Sequence, residues 1–254
     1  MKATSIAAQL YTLRDFLKTP EDIEATLRKV KAIGYDAVQV SGMGPIEPER
    51  LKALTDEIGL AICATHISYD LLKNDLPAVI ADHQLWNCKY IGLGGMPAEY
   101  RTSREGYVKL AKEFSEIGAE LSKHGLQFVY HNHKFEYQKF DGQTGMDILL
   151  NESTAPHFGF ELDMYWVQAG GANPVEWVNK VGSRMQVIHL KDMAIVEDQQ
   201  VFAEIGEGNL NWPAIIDACR SNGVEWYVVE QDRCLRDPFE SLTISYNYLL
   251  KLAQ

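Results

Sequence analysis

Short apolar runs alternate along the chain with longer stretches in which apolar residues recur every three or four positions. The runs fall at 4–10, 36–41, 60–66, 89–93, 126–133, 158–162, 185–190 and 225–230. Runs so short and so uniformly apolar suit strands covered on both faces, as in a parallel sheet. The periodic stretches lie near 21–33, 47–58, 75–86, 103–124, 144–151, 173–181, 212–221 and 238–252, and read as helices. One grammar recurs at the joints. Ile33-Gly34-Tyr35-Asp36, Ile58-Gly59-Leu60-Ala61, His124-Gly125-Leu126-Gln127 and Asn222-Gly223-Val224-Glu225 each close a helical pattern with glycine and lead into an apolar run. A glycine there predicts a left-handed helix cap. Thr19-Pro20-Glu21-Asp22 and Asn173-Pro174-Val175-Glu176 supply a cap, a proline at the first helical position and early acid, and Asn211-Trp212-Pro213 is a looser start.

Eight strands strictly alternating with eight helices in 254 residues predict an α/β fold, a closed (β/α)8 TIM barrel. No linker composition interrupts the chain, so one domain over 1–254 is expected. No GxGxxG follows the first strand, which argues against a dinucleotide-binding sheet and a dinucleotide-dependent oxidoreductase.

Charge narrows the partners. The net charge of -11 gives no basic footprint for phosphate backbones, so no nucleic acid is expected. No apolar stretch is long enough to span a membrane and no signal-peptide pattern opens the chain, so a cytoplasmic protein is expected. Cys63, Cys88, Cys219 and Cys234 form no CxxC and read as buried thiols.

In a TIM barrel the chemistry sits at the C-terminal ends of the strands. Polar residues gather there: Gln39-Val40-Ser41, Thr65-His66, Tyr130-His131-Asn132-His133 with Glu136 beyond, Glu161-Leu162-Asp163, His189-Leu190-Lys191-Asp192 and Glu230-Gln231-Asp232. Asp163, His189 and Glu230 end strands that are otherwise buried. Buried carboxylates need a partner or a metal, and carboxylates with an imidazole make a mixed site for Mn²⁺, Mg²⁺, Co²⁺ or Zn²⁺. His131 and His133 share strand parity and would point the same way, to bind hydroxyls or carry protons. His66 is a further candidate for substrate binding. Lys191 is placed to polarise a carbonyl or steady an enolate. Tyr11, Tyr165 and Trp166 are candidates for walling a pocket. Glu207, between two glycines, is a candidate support for the metal. His83, His124 and His157 read as surface residues.

Taken in order, Gln9-Leu10-Tyr11-Thr12-Leu13-Arg14, His131-Asn132-His133-Lys134-Phe135-Glu136, Glu161-Leu162-Asp163, His189-Leu190-Lys191-Asp192, Gly206-Glu207-Gly208 and Val229-Glu230-Gln231-Asp232 resemble the sugar isomerase/epimerase branch of the xylose-isomerase-like TIM barrels, which also include the endonuclease IV relatives. The resemblance implies one divalent metal, Mn²⁺ first, held by Glu, Asp, His and Glu. Asp163, His189 and Glu230 match. Many relatives carry the remaining glutamate on the fifth strand, where this chain has Tyr130 and its neighbours. Glu136 is therefore expected as fourth ligand and as a catalytic group, with His133 as substitute.

The resemblance further implies an enzyme acting on a small sugar or polyol by proton transfer next to a carbonyl, with Glu136, Glu230, His133 and Lys191 catalytic and His66, His131, Tyr11 and Trp166 binding substrate. A homodimer or homotetramer is implied on the same ground. Elimination from a keto-sugar, keto-glycoside or inositol, catalysed by a dehydratase or lyase, is the second reading. A metal-free sugar-binding barrel and an abasic-site endonuclease are the others, the last disfavoured by charge.

Overall fold

The computed structural model describes residues 1–2 and 5–253. Eight parallel strands close into a barrel: β1 Ile6–Gln9, β2 Ala37–Val40, β3 Ala61–His66, β4 Tyr90–Leu93, β5 Gln127–His131, β6 Phe158–Asp163, β7 Val187–Leu190 and β8 Trp226–Val229. Each strand pairs with its sequence neighbours, and β1 pairs with β8 through Ala7 and Val228 to complete the ring. Thr4, where the first expected strand began, lies outside the described residues. The eight expected helices form at Pro20–Ile33, Pro48–Ile58, Leu76–Trp86, Arg104–Ser122, Gly145–Glu152, Pro174–Val181, Trp212–Ser221 and Pro238–Ala253.

Local chemistry accounts for their ends. Thr19 and Asp22 form a reciprocal capping box at the first helix. Asn173 and Asn211 accept backbone N–H groups at two later starts. The four repeated glycines adopt positive φ, with Gly59 at 77° in the left-handed region. The first helix buries Ile23, Thr26, Leu27 and Val30, a single stripe facing the barrel.

The strand alternation builds the site. Ala7, Ala37, Ala64, Tyr90, Val129, Val187 and Val228 pack together as a cluster separate from the layer between strands and helices. Two residues further along the same strands come Gln9, Gln39, His66, Gly92, His131, His189 and Glu230. A period of two puts both sets on one face, so alanines, valines and Tyr90 plug the barrel and a polar layer sits on top. On β6 the same parity runs through Gly159, Glu161 and Asp163. The register of β2 on β3 shifts between Val38 and Gln39. Thr65 then faces outward, where its hydroxyl meets His83 Nε2 at 2.7 Å.

Four features extend the sequence reading. β5 ends at His131, so Asn132 and His133 lie beyond it. Short helices at Tyr69–Asn74 and Met164–Ala169, and two-stranded hairpins at 139–144 and 192–203, occupy loops. The helices are too short to display a period, and the hairpins contain too few residues to alternate visibly. His83 is buried rather than on the surface: its Nδ1 donates to the Val79 carbonyl at 2.6 Å. Cys63, Cys88 and Cys219 are buried as expected, and Cys234 is half-buried.

Candidate active site

The polar layer is joined by hydrogen bonds across the barrel. Gln9 Nε2 donates to Gln39 Oε1 at 3.0 Å, and Gln39 Nε2 donates to Glu161 Oε1 at 2.8 Å. That orientation leaves Gln39 Oε1 to accept from His189 Nε2 at 2.6 Å. His189 Nδ1 lies 3.0 Å from Glu230 Oε2. Both imidazole nitrogens thus face acceptors. Burial opposes a charge on His189, but Glu161 and Glu230 outweigh it and raise its pKa to about 10.

Four side chains offer ligand atoms that all lie within 4.8 Å of one another: His131, Asp163, His189 and Glu230. Both ring nitrogens of His131 are buried without a hydrogen-bond partner. His131 Nε2 stands 3.5 Å from Asp163 Oδ2 and 3.9 Å from Glu230 Oε2. Asp163 is aimed by its surroundings. Its backbone N–H donates to Asn132 Oδ1 at 3.0 Å, and its Oδ1 caps the next helix through Trp166 N at 3.0 Å. Lys191 is fully buried beside this group, with its Nζ 2.9 Å from Asp163, 2.7 Å from Glu230 and 2.5 Å from Asp232. Burial works against its charge, yet these three carboxylates hold its pKa well above the usual lysine value. The Glu230 carboxyl, raised by burial, is pulled well below its usual range by Lys191 and His189.

A second group meets at the same layer. His66 Nε2 lies 2.6 Å from Glu161 Oε2, and Glu161 Oε1 is 3.4 Å from His189 Nε2. A carboxylate accepts, so Nε2 of His66 carries the proton. Gly92 and Gly94 make room for this ring: a Cβ on them would stand 2.6 and 2.8 Å from its atoms.

A cavity of about 370 Å³ opens above, lined by Tyr11, Ser41, Ser68, Tyr69, Gly94 and Gly95 together with His66, His131, His133, Glu230 and Asp232. Most of the expected residues therefore converge. Four do not behave as expected. Glu136 is buried but outside the four-residue group. Its oxygens accept from the Tyr130 hydroxyl at 2.7 Å and the His133 backbone N–H at 2.9 Å. Burial raises its pKa to about 7. His131 takes the fifth-strand place instead, because it and not Glu136 has inward parity. Trp166 lies behind the lining, tilted against His133 at 5.5 Å, and Tyr165 packs on Phe202. Glu207 pairs with Arg236 at the surface, while the backbone of its loop serves Asp192 instead. Asp192 accepts from the N–H groups of Met193, Gly206, Gly208 and Leu210 and from Trp212 Nε1. Gln9, Gln39, Glu161 and Asp232 had no assigned role. Stepping two residues on from each inward apolar position identifies the first two and, on β6, Glu161.

A model of the xylose isomerase-like TIM barrel family matches residues 27–243. The chain belongs to that family. Two solved structures of sugar phosphate isomerase/epimerases from Parabacteroides distasonis share the fold. One superposes with a TM-score of 0.82 at 25% identity over 98% of this chain and 99% of its own. The other has a TM-score of 0.80 at 23% identity, covering 100% and 95%. Inosose dehydratase of Clostridium beijerinckii is 22% identical over 169 residues, 59% of this chain and 56% of that protein. This family member thus matches little more than half the length of the dehydratase.

Proposed function

We propose that this protein is an isomerase or epimerase that moves a proton next to a carbonyl of a small sugar or polyol. One divalent metal would be held by His131, Asp163, His189 and Glu230. The observation that carries the reading is the convergence of these four side chains under the cavity, with both ring nitrogens of His131 buried and unpartnered. Such atoms are costly unless something satisfies them, and the mixed nitrogen and oxygen donor set suits Mn²⁺, Mg²⁺, Co²⁺ or Zn²⁺. When bound, such an ion polarises a carbonyl and acidifies the neighbouring C–H.

The chain's own groups do the rest. His133 lines the cavity with Nδ1 free of protein partners, and its ring is held by Phe135 stacked at 5.6 Å. It is placed to take the proton. The Lys191 ammonium, fully buried between Asp163, Glu230 and Asp232, keeps those carboxylates ionised and in place beneath the substrate. His66, its Nε2–H held by Glu161, is placed to bind a substrate hydroxyl from its own side of the cavity. Return of the proton from His133 to the adjacent carbon gives an isomer, and protonation from water on the opposite face gives an epimer.

Elimination is the second reading. An imidazole, His131, stands on the fifth strand where the resemblance leads one to expect a glutamate, so a pair of glutamate bases working from two faces is absent among the described residues. One base and a leaving β-hydroxyl need no such pair. The test is incubation of the Mn²⁺-loaded protein with keto sugars and a keto-inositol in D₂O, followed by NMR. Deuterium entry with the carbon skeleton's oxygens retained supports isomerisation or epimerisation. Loss of a hydroxyl supports elimination. No exchange with any of them removes the proton-transfer reading.

A further inference from the structure

We infer that the substrate of this site is an uncharged, unphosphorylated keto sugar or keto polyol; the inference rests on the proton-transfer reading and narrows it. Among the described residues lining the cavity none is lysine or arginine. The lining presents the carboxylates of Glu230 and Asp232 and the hydroxyl-bearing residues Tyr11, Ser41 and Ser68. The nearest cation, Lys191, is fully buried and already faces Asp163, Glu230 and Asp232 within 2.9 Å. Glu161 adds a fourth carboxylate to the same floor. Four carboxylates against one ammonium leave the floor negative even after a divalent ion binds neutral imidazoles.

A phosphate monoester carries a charge of about −1.5 to −2 and would meet that field in a half-enclosed site, where screening is weak. Sugar hydroxyls, by contrast, donate to carboxylates and exchange hydrogen bonds with serine and tyrosine. Arg14 and Arg101, which touch lining residues or their neighbours, are both engaged elsewhere. Arg14 donates to the carbonyls of Tyr11 and Asp232 and lies 4.4 Å from the Tyr11 ring. Arg101 donates to the Met96 carbonyl and lies 3.9 Å from the Phe135 ring. Neither forms part of the lining.

The test compares matched pairs on the Mg²⁺-loaded protein: D-fructose against D-fructose 6-phosphate, and a keto-inositol against its phosphate ester. Saturation-transfer NMR reads binding, and deuterium exchange is followed in the same samples. The neutral member of at least one pair is expected to bind on the order of tenfold tighter than its ester, or more. Inorganic phosphate should not displace it. Neutral binding without exchange supports the charge argument while removing the proton-transfer reading. Preferential binding of an ester overturns the inference, most directly if Arg14→Gln or Arg101→Gln abolishes it. Binding of no neutral compound overturns it as well.

Discussion

Glu230 meets His189 at 3.0 Å and Lys191 at 2.7 Å while facing the cavity. Glu230→Gln keeps the shape and removes the charge that both cations face. Turnover should fall by about a hundredfold to a thousandfold, with bound metal, read by elemental analysis, lost in parallel. A fully active variant would sink the proposed role of this residue. Two buried groups outside the ligand set give a paired prediction about pH. His83 has its pKa lowered to about 4 by burial. Below about pH 6.5 the unfolded chain gains a proton that the folded chain refuses, so His83 costs stability as pH falls toward 4. Glu136 has its pKa raised to about 7 by burial. Above about pH 4.5 the unfolded chain releases a proton that the folded chain keeps, so Glu136 costs stability as pH rises toward 7. Between pH 5 and 7 each effect is worth about 2 kcal/mol, with opposite sign. Relative to the parent, His83→Gln should therefore make stability fall more on going from pH 5 to 7. Glu136→Gln should make it rise more. Denaturant titrations at the two pH values measure both slopes, and slopes of the same sign would contradict the burial argument.

Among the elements, the loop between β7 and the following helix depends on one carboxylate. Asp192 receives four backbone N–H groups and the Trp212 indole N–H, which ties the 192–203 hairpin to the glycine loop and to the next helix start. Asn supplies a single acceptor oxygen, so Asp192→Asn leaves several of these donors unpaired. A loss of about 3 kcal/mol is expected. Hydrogen exchange should speed up at Gly206, Gly208 and Leu210 before it does in the barrel strands; uniform loss of protection would argue against a local role. The Gly206-Glu207-Gly208 motif was legible as a tight loop. Its purpose was not, because the working groups are backbone N–H groups and carry no residue signature. The same limit hid Met164–Ala169, whose six apolar and polar residues follow no period.

For the whole molecule, a metal that binds only the folded barrel must stabilise it. At about a hundredfold excess over its dissociation constant the gain is about 2.7 kcal/mol, or a rise in Tm of roughly 5–10 °C. Mn²⁺ should produce that rise in thermal scans, a chelator should reverse it, and Glu230→Gln should not show it; a flat response in the parent would remove the metal from the proposal. The eight-fold alternation, the glycine caps and the strand-end position of Asp163, His189 and Glu230 were determined by the sequence alone. Each rests on periodicity and local backbone chemistry, which act between near neighbours. Whether Glu136 or His131 joined those three was decided only by the closed barrel. Both are polar and both follow the same apolar run, but inward parity belongs to His131, and the Tyr130 hydroxyl and His133 N–H hold Glu136 aside. The charge of the cavity floor was likewise set by tertiary structure, since Glu161, Asp163, Lys191, Glu230 and Asp232 come from the ends of three strands far apart in sequence that parallel pairing brings side by side.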